Sequence, residues 1–465
     1  MASRVLELNK APATEGTCVL YVMSRDQRTR DNHALLEAQA EALEHKLPLL
    51  VVFNLLPVSG YRKREHYQFM VEGLKEVEAD LQKKAIPFVV TIGSMPKNIR
   101  ALARDMMPHS IYFDFSPLRG PRAAQKELAG AVDCRVVVVD THNIIPVWVT
   151  SDKEEWAAHT IRRKIHSHIE DWAHEPGVLR KHPHEFTPKP TGASWSEVNE
   201  ILEKIPKSGI AHSFTPGEAA AKRKVSSFIE TGLLKYANDR NDALANAQSD
   251  LSPYLHYGQI SALRILLDIM DKKSHPPQIL TSFKMPIHGK EAHESNSIDS
   301  FIEELVVRKE LADNFCFYNP HYDSLKGAKD WAAKTLADHA DDPREFVYTK
   351  AQLENAKTHD ELWNAAQNQL RKSGKIHGYM RMYWAKKILE WTNTPETAIS
   401  WAVEFNDSYH LDGGDPNGYV GILWSIAGMH DRPWFDRSVY GTIRYMAQSG
   451  AEKRFDTKKY IERWT

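Results

Sequence analysis

Two kinds of apolar spacing divide this chain. Within the first 150 residues, short unbroken apolar runs recur at 18–23, 49–54, 87–92, 111–115 and 135–140. Runs of this length predict strands buried on both faces. Amphipathic stretches at helical spacing lie between or beside them, over 31–45, 66–84, 96–107 and 121–130. Strand and helix in alternation predict an α/β domain with a doubly wound, parallel, Rossmann-like sheet. From about residue 215 the strand signal ends. Helical patterns then run to the terminus, including 216–234, 260–271, 298–313, 361–370, 378–391 and 395–404. The expected organisation is an α/β domain over 1–150, a polar, His- and Pro-rich linker over 151–214, and an all-α domain over 215–465. The stretch 272–297, with its Pro, His, Gly and Ser, reads as a surface insertion.

Composition narrows the class. A chain of 465 residues exceeds what one hydrophobic core normally serves. Its 60 basic and 61 acidic residues nearly cancel, which argues against a tail-driven polyanion binder. A local basic patch could still track nucleic acid, and the clusters at Arg162–Lys164, Lys222–Lys224 and Arg371–Lys375 are candidates. The three cysteines are far apart, as in a reducing compartment. No apolar signal core or membrane-spanning run is visible, so a soluble intracellular protein is expected, cytoplasmic or nuclear. The first strand is not followed by GxGxxG, yet the crevice at the strand carboxyl ends could hold a ligand. Histidines 166, 168, 174, 182 and 184 lack ligand spacing, and no metal is expected.

The most unusual stretch runs from His377 to Trp434. It holds Trp384, Trp391, Trp401, Trp424 and Trp434, together with Arg381, Met382, Asn406 and an Asp412-Gly413-Gly414-Asp415 turn. Indoles mixed with one arginine and turn carboxylates suit the wall of a planar-ligand site. At about 100° per residue, Trp384 and Trp391 share a helix face. Trp363, on the preceding helix, could extend them into an electron-hopping chain, or all three could simply pack a core. Arg381 needs a carboxylate, and Asp412 or Asp415 could offer a bidentate one. Around 236–258, Tyr236, Arg240, Gln248, Ser249 and Ser252 precede a Ser-Pro helix start, which suits a pyrophosphate or an ordinary cap. Glu303 and Glu304 open an apolar helix, where one could face inward while the other stays solvated.

These pieces resemble the DNA photolyase/cryptochrome family, nearest its class II cyclobutane pyrimidine dimer photolyases. The motifs are 23–32 (MSRDQRTRDN), 251–258 (LSPYLHYG), 303–310 (EELVVRKE), 312–318 (ADNFCFY), 378–384 (GYMRMYW), and Asn406 with 412–418 (DGGDPNG). The resemblance implies light-driven repair of pyrimidine dimers in double-stranded DNA by reduced FAD, in a monomer. An antenna chromophore, a deazaflavin or a folate, could occupy the α/β domain. It implies that Tyr236, Gln248, Ser249, Asp250, Leu251, Ser252, Arg381, Asn406, Asp412, Gly413 and Gly414 hold FAD, with Arg381 and Asp412 paired and Asn406 facing flavin N5. The class I pattern has its Asn where this chain has Gly418. Trp384, Trp363 and Trp391 would form the photoreduction chain, in that order outward. Glu304, Met382 and Trp424 would contact the flipped dimer. Arg240 would hold DNA, and Arg432 would wedge into the gap. Many relatives carry a lesion-stacking Trp where this chain has Arg308. A cryptochrome-like light sensor is the first alternative. It often carries a long tail, whereas this chain ends at Thr465, which favours repair. A 6–4 photoproduct photolyase is the second, and His377 is its candidate lesion histidine.

Overall fold

The structure is a computed structural model and describes residues 3–57, 60–187, 190–272 and 294–465. The insertion read over 272–297 lies largely outside the described residues. Six strands form one sheet: β1 (Val5–Glu7), β2 (Val19–Met23), β3 (Leu49–Leu55), β4 (Phe88–Ile92), β5 (Ser110–Asp114) and β6 (Arg135–Val139). Their order is β1-β6-β5-β2-β3-β4. All pairs are parallel except β1 with β6, where Val5 faces Val139. The expected doubly wound sheet is present, with an added antiparallel edge. That edge strand is three residues long and partly exposed, too short for apolar spacing to announce. β2 is buried at every position, as its unbroken apolar run requires.

The four expected helices of this half are His33–Glu44, Arg64–Lys83, Met95–Met106 and Arg119–Ala129. Asn32 starts the first by accepting from the Leu35 N–H, the Asn cap that frees a helix from its preceding loop. The polar stretch that follows contains the Ala158–Trp172 and Trp195–Leu202 helices. Ile161, Ile165 and Ile169 of the former and Val198 and Leu202 of the latter join the core around the sheet.

Beyond residue 215 every described regular element is helical. The pattern over 298–313 is one continuous helical rod with an irregular middle: Glu294–Ile302, a π-helical Glu303–Arg308, then Lys309–Tyr318. A π-bulge shifts side-chain phase and is common at functional sites. The Glu361–Ser373 helix begins where Asp360 accepts from the Trp363 N–H and ends at Gly374 in the left-handed region, φ 73°. The Gly378–Glu390, Pro395–Tyr409 and Pro416–Ala427 helices pack with it around Trp363, Trp384 and Trp391.

Buried polar contacts fasten the sheet's carboxyl ends to the Lys309–Tyr318 helix. Arg25 makes a bidentate pair with Asp313 at 2.7 and 2.9 Å. The Ile144 N–H donates to Glu310 Oε1 at 2.7 Å, and Lys309 Nζ to the His142 carbonyl at 2.9 Å. Burial opposes the Asp313 charge, but Arg25 outweighs it and holds the carboxyl below its ordinary range.

Candidate active site

The Gly378–Glu390 helix organises the site. His377 starts it, its Nδ1 accepting from the Tyr379 N–H. Burial pulls the His377 imidazole down to about 4, so it is neutral at physiological pH. Its Nε2 lies 3.2 Å from Gln248 Nε2, and Gln248 also donates to the Arg240 carbonyl at 2.9 Å. His377 therefore acts as a cap and an anchor for the 240–248 loop.

One turn on, Arg381 Nη2 donates to Asn406 Oδ1 and reaches Asp412 Oδ1 only at 3.5 Å. The expected bidentate carboxylate pair is not formed. Asn406 takes the short bond, and Asp415 is engaged by His256 Nδ1 at 3.2 Å. Asp412 is buried, which disfavours its charge, yet Arg381 and His410 bring its carboxyl down to about 2. The Ser252 hydroxyl also bonds Asp412, bringing the 248–252 loop to the glycine turn. Gly413 has no room for a Cβ, which would lie 2.7 Å from the Asp407 Cα. Gly414 is left-handed at φ 84°.

The Ser-Pro segment forms only the five-residue helix Ser252–His256. Its macrodipole is too short to bind an anion alone. The nearby positive charge comes from side chains. Asp250 bonds both Lys375 and Lys224. Burial opposes its ionisation, but the two ammoniums hold it below the usual carboxylate range. Gln248, Ser249, Asp250 and Ser252 are half-buried, while Leu251 is buried in the core.

Glu303 and Glu304 divide their roles as adjacent carboxylates on a helix can. Glu303 points inward, bonded by Arg162 at 2.6 and 2.9 Å. Glu304 stays half-exposed and accepts from Arg240 Nη2 at 2.6 Å. The Arg240 guanidinium stands 5.1 Å from the Tyr236 ring, and Tyr236 is buried against Phe301. Arg308 is exposed and turns back to Glu303 at 3.2 Å.

Trp363, Trp384 and Trp391 are all buried. Trp363 Nε1 donates to the Trp384 carbonyl at 3.0 Å, and Trp384 Nε1 to Gln367 at 2.7 Å. The Trp363 and Trp391 rings are 5.5 Å apart. Met382 and Trp424 are half-buried. Lys386 Nζ lies 4.8 Å from the Trp424 ring centre. Arg444 stands 5.8 Å from Trp424 and 4.1 Å from Trp434, and exposed Arg432 stands 5.6 Å from Trp434. Apolar spacing gave no sign of Lys386 or Arg444. A lysine on an otherwise buried helix face was the available signal.

A crevice of about 210 Å³ lies beyond the carboxyl ends of β2, β3 and β5 and shares Gly414 with the glycine turn. Ser24, Asn54, Ser116, Arg62, Tyr257 and Gly414 are among its walls. Among the described residues, no group of three or more His, Cys, Asp or Glu is arranged to hold a metal.

Residues 19–184 match the DNA photolyase family model. The deoxyribodipyrimidine photo-lyase of Potorous tridactylus is 43% identical over 447 residues, covering 95% of this chain and 80% of that protein. The chain belongs to the DNA photolyase family. The deoxyribodipyrimidine photo-lyase of Methanothermobacter thermautotrophicus is 36% identical over 463 residues, 99% of this chain and 98% of its own length. Marsupial, plant and archaeal relatives at this level fit the class II branch of the photolyases. The photolyase fold is seen also in a class III photolyase of Agrobacterium tumefaciens. That structure has TM-score 0.71 and 18% identity, and the match covers 98% of this chain and 88% of that one.

Proposed function

We propose that this chain is a class II deoxyribodipyrimidine photo-lyase that reopens cyclobutane pyrimidine dimers in DNA under blue or near-UV light. One observation carries the reading: four relatives of that name are 36% to 43% identical across at least 95% of this chain. The family is flavin-binding, and the donor set here fits FAD. Ser249 and Ser252 are half-buried residues beside the Lys224 and Lys375 ammoniums, and Asp250 is neutralised by those two lysines. A pyrophosphate brought near would therefore meet donors and little uncompensated negative charge. Tyr236, Leu251, Arg381, Asn406, Asp412, Gly413 and Gly414 would complete the cradle. Bound there in reduced form, FAD supplies the photoexcited electron that opens the dimer ring.

The protein's own residues orient the lesion. Enzymes acting on a stacked base first take it out of the duplex, and a damaged pair resists less. Glu304, aimed by Arg240, would accept a hydrogen bond from the flipped dimer, and the Arg240 guanidinium beside it would offset the negative charge developing there. Met382 and Trp424 would close on its bases. Arg240 would divide its donors between Glu304 and the DNA backbone, and Arg432, on an exposed loop, would enter the vacated gap. Trp391, Trp363 and Trp384 would relay electrons inward from the surface to restore the reduced cofactor. The Trp363 and Trp384 N–H groups donate to neutral oxygens, which favours a transiently cationic indole at those two positions.

The crevice at the strand ends would take an antenna of the deazaflavin or folate class. At about 210 Å³ it is smaller than most small-molecule sites, so it would enclose a ring system and leave any tail outside. The test of the main reading supplies reduced protein with a thymine-dimer oligonucleotide, under blue light and in the dark. Light-dependent recovery of thymine is expected. Its absence in protein carrying reduced flavin would end the repair reading.

A further inference from the structure

Lys386 is fully buried, and its ammonium has two partners. Nζ donates to the Ser425 carbonyl at 2.9 Å, and it stands 4.8 Å from the centre of the Trp424 indole. Among the described residues Lys386 forms no ion pair, and the carboxylate that acts on it, Asp431, does so from beyond ion-pair distance. A buried ammonium without a counter-ion is costly, and a neutral side chain would normally replace it. Here the indole face and one carbonyl substitute for water. Ser425 is the residue after Trp424, so both partners belong to the same turn of the Pro416–Ala427 helix.

We infer that Lys386 is a positioning residue for lesion recognition: its buried ammonium, closer to the Trp424 ring centre than Arg444 is, fixes the indole for contact with the dimer. This rests on the proposed contact between Trp424 and the dimer. Trp424 is the one indole that this reading sets against the dimer, and Arg308, in the Glu303–Arg308 segment, supplies no second ring. A single indole must then be held rigidly, since any freedom it retains is lost again when the dimer binds.

The ammonium is also poised to lose its proton. Burial pulls Lys386 down to about 7, with Asp431 opposing and Arg444 reinforcing the shift. Tyr440 completes its surroundings by donating to the Lys386 carbonyl. Below pH 7 the cation is present and holds the ring. Above it, the neutral amine does so only weakly.

The experiment compares binding of thymine-dimer and undamaged duplexes from pH 6 to 8.5, in wild type, Lys386→Met, Lys386→Arg and Trp424→Ala. In wild type the preference for damaged DNA should fall as pH rises through 7. Lys386→Met, which removes a buried charge and should fold, is expected to lose about fivefold of the preference at pH 6 and to flatten the profile. Lys386→Arg should restore part of the preference and keep it at pH 8.5. A wild-type preference independent of pH, or an unchanged preference and profile in Lys386→Met, would overturn the inference. Trp424→Ala separates the two claims. If it leaves the preference intact, the lesion contact assigned to Trp424 is wrong. If it abolishes the preference while Lys386→Met does not, only the role of Lys386 is wrong.

Discussion

Gly418 makes room for Asn406. A Cβ at Gly418 would lie 2.9 Å from Asn406 Nδ2, closer than side chains normally approach. The Asn406 amide is held at both ends, accepting from Arg381 and donating to Asp407 Oδ1 at 2.8 Å. Gly418→Ala should therefore displace Asn406 or strain its helix, costing about 1–3 kcal/mol as overpacked sites do. Thermal unfolding and flavin retention would both report it, and an unchanged melt with full retention would show that the contact relaxes freely.

The indole chain gives a separable phenotype. Trp384→Phe keeps an aromatic ring in the core but removes the oxidisable indole and its bond to Gln367. Photoreduction of oxidised protein should fall to near background, while chemically reduced protein repairs at close to the normal rate. Flash photolysis of both preparations checks this.

Glu304 and Arg240 should behave as a coupled pair. Glu304→Gln keeps the shape but removes the charge that Arg240 faces at 2.6 Å. Repair yield per absorbed photon should drop several-fold with little loss of DNA affinity. Arg240→Ala should weaken DNA binding as well and lower its salt dependence by about one phosphate contact. A double-mutant cycle would measure the coupling.

Asp412 sets an acid limit. Its carboxyl titrates near 2 in the folded protein, against an ordinary value of 3.8. A depressed carboxyl adds stability above the unfolded value, and that stability is lost as pH falls from about 4 toward 2. Arg381→Met removes the main charge holding Asp412 ionised. Acid-induced loss of flavin, followed by fluorescence, should move to higher pH in that variant.

Arg308→Trp tests whether a second ring at that position can be added to the lesion contact. Arg308 shares Glu303 with Arg162, which keeps both of its own contacts after the change. The carboxylate is thus not stranded, and stability should shift by less than about 1 kcal/mol. If an indole reaches the lesion, affinity for dimer-containing DNA should rise several-fold while affinity for undamaged DNA stays level.

Much of this fold is legible in the sequence, because strands such as β2 are buried on both faces and advertise it with unbroken apolar runs. β1 is not, since its pairing depends on the edge of β6 rather than on its own pattern. The π-helical turn at Glu303–Arg308 is equally hidden, because periodicity over ten residues cannot reveal one extra residue per turn. In the candidate site, the expected Arg381–Asp412 ion pair is present, but as a single 3.5 Å contact rather than a bidentate one, with Asn406 taking the closer bond. Which oxygen an arginine prefers depends on angstrom-scale placement of two helices and a turn. Lys386 is legible only in part: its place on a helix face of apolar residues hints at burial, but its contact with Trp424 depends on how two helices pack.

The contacts of Arg25 with Asp313 and of Lys309 with the His142 carbonyl bear on engineering. The strand-bearing half is not an interchangeable module. A chimera that takes residues 1–150 from a distant homologue would leave Asp313 and Glu310 facing whatever the donor supplies. Each would become a stranded buried acid unless its partner travelled with the graft. Recombination that respects this seam must exchange the Lys309–Tyr318 helix together with the sheet it grips.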